Sequence, residues 1–185
     1  MKKVAFFDLD NSLANYTDTL SADMNALKSP DEVYFDSEYR LTALPGYLKN
    51  RMRLIRGQAG WWRNLPPLEC GMALLSCAVR NNYDIHILTR GPLDHPSAWA
   101  EKLEWCYMHL GRGNFHMHVT SIKDIHQGDF LYDDDVETMQ AWLDADESRR
   151  GVMPIRKFNA NFTHPRLFKW DRVDCEDVMR FLNQS

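Results

Sequence analysis

The sequence predicts an α/β protein with a doubly wound parallel sheet, and three observations support this prediction. Short apolar runs of strand type alternate with helix-type segments along the 185 residues. The first run, residues 4–7, is apolar at every position, as is typical of a strand buried on both faces. Polar residues follow several of the strands, and the active sites of such sheets lie beyond these carboxyl ends.

The core elements are predicted from apolar runs and from the residues that break them. Paired prolines at 66 and 67 and Pro96 open helices, because proline is tolerated in a first turn. Asn81-Asn82 and the Gly111-Arg112-Gly113 segment end them. Further strands are predicted at 84–88, 115–119, 129–132 and 152–155, and core helices at 66–80, 96–110, 136–145 and 174–182.

The stretch 14–65 lacks strand character and is predicted to be a small helical cap over the mouth of the core. Helices are expected at 14–27 and 47–56, with breaks at 29–31 and 42–46. The chain is therefore predicted to be one domain, with its core formed by 1–13 and 66–185.

Composition limits the function classes. A net charge of -4 argues against a general nucleic-acid binder, although a local basic patch remains compatible with it. The first strand follows the start of the chain too closely for a signal peptide, and no apolar run is long enough for a membrane span. A soluble, cytoplasmic protein without membrane partners is expected.

The cysteines and one histidine pair carry weaker signals. The spacing of Cys70, Cys77, Cys106 and Cys175 fits no zinc pattern, so buried free thiols are expected. His116 and His118 lie two apart in a strand-like run, which favours one exposed strand face over a metal site.

Two aspartates follow the first strand. Asp8 and Asp10 are two residues apart, so their side chains can point to one place in a crevice. Two carboxylates held that close repel each other unless one takes up a proton or a cation lies between them, and Mg²⁺ suits such hard oxygens. Asn11 and Ser12 suit a tight turn. The alternative is that the aspartates cap a helix or lie in a solvated loop.

Further polar residues stand at the later strand ends. Thr89 can hold a phosphoryl oxygen, Lys123 can neutralise a nucleophile and a phosphate, and Asp133 or Asp134 can complete a metal site. Alone, each could be a turn residue, a surface lysine or a helix-terminal charge. Their joint occurrence in this order favours phosphoryl transfer, with Asp8 as nucleophile and Asp10 as general acid and base.

On these residues the chain resembles the haloacid dehalogenase (HAD) superfamily of phosphatases. The four matching motifs are Asp8 to Ser12, Thr89 after its apolar strand, Lys123, and residues 130–134. Within the superfamily the chain resembles the 5'(3')-deoxyribonucleotidase branch, through segments 60–67, 101–105 and 128–134. The likeness spans most of residues 3–182.

The resemblance implies a Mg²⁺-dependent hydrolase of nucleoside (deoxy)monophosphates that forms an aspartyl-phosphate. Its metal ligands would be Asp8, the backbone carbonyl of Asp10, and Asp134, with Asp133 as rival. The phosphate would be bound by Thr89 and Lys123, with Arg90 as a further contact or an outward-pointing residue. Trp61 and Trp62 would lie near the base or sugar, since a flat aromatic ring suits a nucleobase, unless they form the core of the cap. A homodimer is left open.

Two residues depart from the pattern of the family. Asn11 stands where many relatives have glycine, and Arg90 where relatives of the branch often have a small residue.

A polynucleotide 3'-phosphatase, or another small-molecule phosphatase of the superfamily, would keep the chemistry but change the substrate. A polynucleotide could be gripped by five basic residues: Lys49, Arg51, Arg53, Arg56 and Arg63. A non-enzymatic binding protein on the same fold is the third reading.

Overall fold

A computed structural model of the chain describes residues 2–36 and 44–183. Within these ranges a parallel sheet of six strands has the order β3-β2-β1-β4-β5-β6. The strands are β1 Val4–Phe7, β2 Asp84–Thr89, β3 His116–Val119, β4 Phe130–Tyr132, β5 Arg150–Pro154 and β6 Leu167–Trp170. The predicted doubly wound sheet is confirmed.

The central strand β1 pairs with β2 on one side and with β4 on the other. The order of the strands changes direction at this point, so the carboxyl ends of these three strands form a crevice. The last strand, β6, is absent from the sequence prediction. Lys169 interrupts its apolar run, and the structure satisfies the ammonium group locally through the carbonyl of Asn159.

Helices pack on both faces of the sheet. Phe7 belongs to a core that includes residues of several helices, whereas Phe6 faces Trp142 on the opposite side. The helices are α1 Tyr16–Ala26, α2 Gly46–Arg56, α3 Glu69–Arg80, α4 Ser97–Leu110, α5 Val136–Asp144 and α6 Glu176–Leu182. Among the described residues, none of these helices has the length and apolar character that a membrane crossing requires.

The chain between β1 and α3 contains α1 and α2, which pack against each other. Its two ends are tied together, because the amide of Asn15 donates to the carbonyl of Pro66 at 2.8 Å and the amide of Leu68 to the carbonyl of Leu13 at 2.7 Å. The predicted division into core and cap stays a prediction. Residues 42 and 43 of the predicted break at 42–46 lie outside the described ranges.

The prediction of free thiols is wrong for two of the four cysteines. Cys77 in α3 and Cys175 before α6 form a disulfide, with Cα atoms 6.5 Å apart, whereas Cys70 and Cys106 are free. The two bonded cysteines are 98 positions apart in the sequence. Their contact arises because α3 and α6 contribute to the same core, which the cysteine spacing does not reveal.

Candidate active site

A polar cleft of about 230 Å³ lies at the carboxyl ends of β1 and β4. It contains five of the predicted site residues, namely Asp8, Asp10, Lys123, Asp133 and Asp134, and Arg90 also lines it. The remaining lining residues are Asn11, Tyr16, Asp135, Thr138 and Phe158. Residues far apart in the sequence therefore meet where the parallel sheet was expected to place them.

The loop after β1 is held in a fixed shape. The amide of Asp8 donates to the carbonyl of Tyr132 at 2.8 Å, which extends the pairing of β1 with β4. Asn11 has a φ of 60°, in the left-handed region that asparagine tolerates better than most residues. Its side-chain oxygen accepts from the amide of Thr17 at 2.8 Å, so the loop is also tied to α1.

Lys123 lies between two carboxylates and is only 4% exposed. Its Nζ donates to Asp8 Oδ1 at 2.5 Å and to Asp133 Oδ2 at 2.7 Å. Burial alone would lower the pKa of Lys123, but the attraction of Asp133 and Asp8 outweighs it, so the pKa lies above its usual value. Lys123 is therefore a permanent cation in the cleft.

The two acids after β4 differ in their contacts. Both oxygens of Asp133 accept hydrogen bonds, one from Lys123 and one from the amide of Asp135 at 2.9 Å. Burial raises the pKa of Asp133 to about 6, because Lys123 only partly compensates and Asp8 adds repulsion. The pKa of Asp134 is raised well above its usual value by burial and by the charges of Asp133 and Asp8. The cleft therefore holds more negative charge than Lys123 balances.

The chemistry of these groups fits a divalent cation. Carboxylate oxygens of Asp8, Asp133 and Asp134 lie within 4.8 Å of one another. Hard oxygen donors at such a spacing suit Mg²⁺, which also shares its coordination sphere with phosphate. Burial, and after it the repulsion between the acids, raises the pKa values of Asp133 and Asp134, and a cation would offset both effects.

Asp10 is paired with a buried lysine that the sequence analysis missed. Lys102 Nζ donates to Asp10 Oδ2 at 2.7 Å, to Thr89 Oγ1 at 3.1 Å and to the carbonyl of Arg90 at 2.7 Å. Asp10 Oδ1 is buried and lacks a hydrogen-bond partner among residues 2–36 and 44–183. Burial raises the pKa of Asp10, Lys102 lowers it, and Asp8 raises it again, leaving it above its usual value.

Comparison with known proteins identifies the family of the chain. The family model described as "5' nucleotidase, deoxy (Pyrimidine), cytosolic type C protein" matches residues 2–179. The chain belongs to this family. The predicted resemblance is confirmed. Because the family is one of 5' nucleotidases, the prediction of an enzyme is confirmed at the level of the family.

One curated relative agrees with this family. A Vibrio phage KVP40 protein named "Putative 5'(3')-deoxyribonucleotidase" is 26% identical over 106 residues, 56% of this chain and 62% of the phage protein. The match thus spans less than two thirds of that relative's length.

The solved structures show the fold. A HAD hydrolase of family IA, variant 3, from Entamoeba histolytica covers 100% of both chains at 9% identity, with a TM-score of 0.56. CbbY from Rhodobacter sphaeroides in complex with phosphate covers 91% of this chain and 93% of its own at 16% identity, with a TM-score of 0.51. These likenesses support the HAD-type architecture of this 5' nucleotidase family member.

Thr89, the last residue of β2, and Arg90, which follows it, have different environments. Thr89 is fully buried, and its hydroxyl accepts from Lys102. Arg90 lies at the cleft, where its guanidinium donates to Thr138 Oγ1 at 3.1 Å. Arg90 is solvent-exposed as well as lining the cleft, so its role as a phosphate contact stays a prediction.

The two tryptophans pack within the cap. Trp62 is 3% exposed, its ring stacks on Tyr16 with centroids 5.3 Å apart, and Lys102 Nζ lies 4.9 Å from its centroid. Trp61 packs at its edge and donates through Nε1 to Asp23 at 2.7 Å. The expected contact of Trp62 with a base is thus replaced by a packing role, because its ring is enclosed. The aromatic residues that line the cleft are Tyr16 and Phe158.

Basic residues of the cap are partly neutralised by acids. Arg51 pairs with Glu32 at 2.9 Å, and Arg63 pairs with Glu104 at 3.0 Å. Arg56 donates to the hydroxyl of Tyr16 at 3.3 Å and lies 3.5 Å from Asp94. At least three of the five residues proposed to grip a polynucleotide therefore have acidic partners among the described residues.

Two cleft-supporting residues were not identified from the sequence. Lys102 lies on the buried face of α4 together with Ala98 and Trp105. A lysine at helical spacing among apolar residues is the sequence signal that could have identified it. Arg156, which follows β5, donates to the carbonyl of Asn11 at 3.0 Å. The sequence around Arg156 has no comparable pattern that would have identified this residue.

Proposed function

We propose that this chain is a Mg²⁺-dependent phosphomonoester hydrolase that acts on nucleoside (deoxy)monophosphates through an aspartyl-phosphate on Asp8. The observation that carries the proposal is the contact of Lys123 with Asp8 and Asp133 beside Asp134, at the carboxyl ends of neighbouring strands. Phosphoryl transfer depends mainly on positioning and charge neutralisation, and this cluster can supply both.

Mg²⁺ would be held by the side chains of Asp8 and Asp134 and by the backbone carbonyl of Asp10. Asp134 is favoured over Asp133 as the second side-chain ligand, because both oxygens of Asp133 already accept hydrogen bonds. When bound, the ion neutralises charge on the phosphoryl oxygens.

The reaction would proceed in two displacements. A carboxylate oxygen of Asp8 attacks phosphorus, the bond from phosphorus to the ester oxygen breaks, and the carboxyl of Asp10 protonates the leaving alkoxide. Asp10 then takes a proton from a water molecule, which attacks phosphorus and breaks the bond to Asp8. Inorganic phosphate leaves, and Asp8 and Asp10 return to their starting forms.

Three residues would bind the phosphate and keep Asp8 in place. Lys123 fixes the attacking carboxylate and offers its cation to a phosphoryl oxygen. Thr89 would contribute its hydroxyl or backbone amide at the end of β2, and Arg90 at the rim can contact a further oxygen. The CbbY structure, which contains phosphate, is consistent with phosphate binding on this fold.

Nucleotide substrates are supported by the family description and by the printed name of the phage relative. Tyr16 lines the cleft from the first cap helix and offers an aromatic surface there. A base would therefore be expected against Tyr16 or the partly exposed edge of Trp61. We place the enzyme in the cytoplasm, in line with the word "cytosolic" in the family description.

A panel of phosphate esters tests the substrate class. We expect Mg²⁺-dependent phosphate release from nucleoside 5'-monophosphates, with kcat/KM at least about tenfold above that for sugar phosphates and 3'-phosphorylated oligonucleotides. Removal of Mg²⁺ by a chelator should abolish release, and added Mg²⁺ should restore it. A preference for the 3'-phosphorylated oligonucleotides would support the polynucleotide 3'-phosphatase instead, and inactivity on every ester would overturn the proposal.

Replacing Lys102 should change the pH profile. In Lys102→Met, Asp10 loses the cation that lowers its pKa, so the pKa should rise further. Because Asp10 acts as a general acid, the alkaline limb of kcat/KM should move about one pH unit upward, while kcat/KM at neutral pH falls roughly tenfold or more. Lys3→Met, at an exposed lysine before β1, is the control. A uniform loss without movement of the limb would contradict a positioning role for Lys102.

A further inference from the structure

A second group of metal-ligating side chains lies at the start of β2 and β3. Asp84 and His86 are on β2, and His116 is directly opposite His86 on β3. Alternate residues of a strand point to the same side, so the three side chains share one face of the sheet. His86 is three residues before Thr89, the last residue of β2, which puts roughly 10 Å of extended strand between the nearest ligand of this group and the catalytic end.

The ligand atoms of this group converge. His86 Nε2 is 3.5 Å from Asp84 Oδ2, and His116 Nε2 is 3.8 Å from Asp84 Oδ1. All three residues have a ligand atom within 4.8 Å of the others. Two ligands bound 2.0–2.1 Å from one tetrahedral Zn²⁺ are about 3.3 Å apart, so small rotations of the rings suffice to close the site.

The orientation of His86 is fixed by its neighbours. Its Nδ1 is 2.8 Å from Nε2 of His118, and its ring packs edge-on against Phe6 with centroids 5.2 Å apart. The other ring nitrogen therefore faces Asp84. Metal-bound histidines usually have their second nitrogen held in this way, which sets both the tautomer and the direction of the ligand.

The group is accessible, and other charged side chains interact with it only weakly. The side chain of His116 is 63% exposed, and that of Asp84 is 39% exposed. Lys2 Nζ lies 3.9 Å from Asp84 Oδ1, a distance and exposure at which an ion pair contributes little. An ion would reach the group from the solvent side, where His116 and Asp84 are exposed.

We propose that Asp84, His86 and His116 bind a divalent transition-metal ion such as Zn²⁺, with His118 positioning His86. Two imidazoles and one carboxylate suit Zn²⁺ far better than Mg²⁺, which prefers oxygen ligands only. The bound ion would join the amino-terminal ends of β2 and β3. The sequence reading of His116 as part of an exposed strand face is compatible with this site, because His116 and Asp84 face solvent.

Zinc binding can be measured separately from the catalytic carboxylates. Chelator-treated protein is titrated with Zn²⁺ in excess Mg²⁺, which occupies the cleft, and bound zinc is counted after gel filtration. We expect one Zn²⁺ per chain, a thermal midpoint that rises with Zn²⁺, and shifts of the His86 and His116 ring signals in NMR spectra. His116→Ala and Asp84→Asn should weaken binding at least tenfold, and His118→Phe by about tenfold.

His164→Ala is the matched control, since His164 lies in the loop before β6 at the opposite edge of the sheet. It should bind Zn²⁺ as the unchanged protein does. Equal affinity in His116→Ala and Asp84→Asn, or the lack of Zn²⁺ binding in the micromolar range, would overturn the proposal. Neither result would affect the proposed phosphatase, whose residues lie at the other end of the sheet.

Discussion

Asp8→Asn should remove at least about a thousandfold of the phosphatase activity while leaving the fold intact. The amide keeps the size of the carboxylate but is a poor nucleophile, so the first displacement has no attacking group. Lys123 still pairs with Asp133, and one negative charge leaves a crowded group of acids. The thermal midpoint should therefore be unchanged or higher.

Two measurements separate loss of the nucleophile from loss of binding. Substrate affinity, measured by equilibrium dialysis of a nucleoside monophosphate, should change far less than kcat. Beryllium fluoride, which mimics a phosphorylated aspartate, should bind the unchanged enzyme but not the variant. Asp171→Asn, an exposed acid after β6, is the control. Turnover retained by Asp8→Asn would refute the assignment of the nucleophile.

The sheet could be predicted because its strands are continuous apolar runs followed by polar residues. Val4–Phe7 and Phe130–Tyr132 are buried on both faces, as their composition indicates. β6 could not be predicted, because Lys169 within it is accommodated by Asn159, a contact that exists only after folding. Local pattern thus identifies strands that are apolar throughout and misses those completed by tertiary contacts.

The residues of the cleft also divide into those that local pattern predicts and those that depend on tertiary contacts. Asp8, Lys123 and Asp133 each follow a predicted element, so the parallel topology was enough to bring them together. Lys102 approaches Asp10 from the middle of α4, and its role depends on how that helix packs on the sheet. The disulfide between α3 and α6 depends on packing in the same way.

The enclosure of Trp62 shows where residue type alone misleads. An aromatic pair in a cap suits base stacking, but a helix of a small cap also needs a core of its own. Tyr16 and Lys102 enclose Trp62, and the aromatic residues that line the cleft are Tyr16 and Phe158 instead. Which aromatic rings reach the cleft thus depends on packing that residue type does not reveal.

Lys123→Met should cost both stability and activity. The substitution leaves the carboxylates of Asp8 and Asp133 facing each other in a buried site without their shared cation. Removing one partner of a buried charge pair typically costs about 3–5 kcal/mol of the free energy of unfolding. The kcat/KM should fall by about two to three orders of magnitude, because the cation that would neutralise nucleophile and phosphate is lost. Lys3→Met again provides the control.

The loss of stability should depend on pH in a defined direction. Burial already raises the pKa of Asp133 to about 6, and without Lys123 it should rise further. A carboxyl whose pKa is higher in the folded state than in the unfolded state favours folding when protonated, and this contribution is lost as pH rises through the folded value. Urea unfolding should therefore show a smaller difference between Lys123→Met and the unchanged protein at pH 5 than at pH 8.

A double substitution identifies the electrostatic origin of this effect. Asp133→Asn keeps the shape of the side chain but removes one of the two charges that Lys123 balances. If charge repulsion causes the instability, Lys123→Met/Asp133→Asn should be more stable at pH 8 than Lys123→Met alone, with a coupling energy of about 1–3 kcal/mol. Additive losses, or equal losses at pH 5 and pH 8, would mean that Lys123 stabilises the cleft by packing of its methylene groups instead of by its charge.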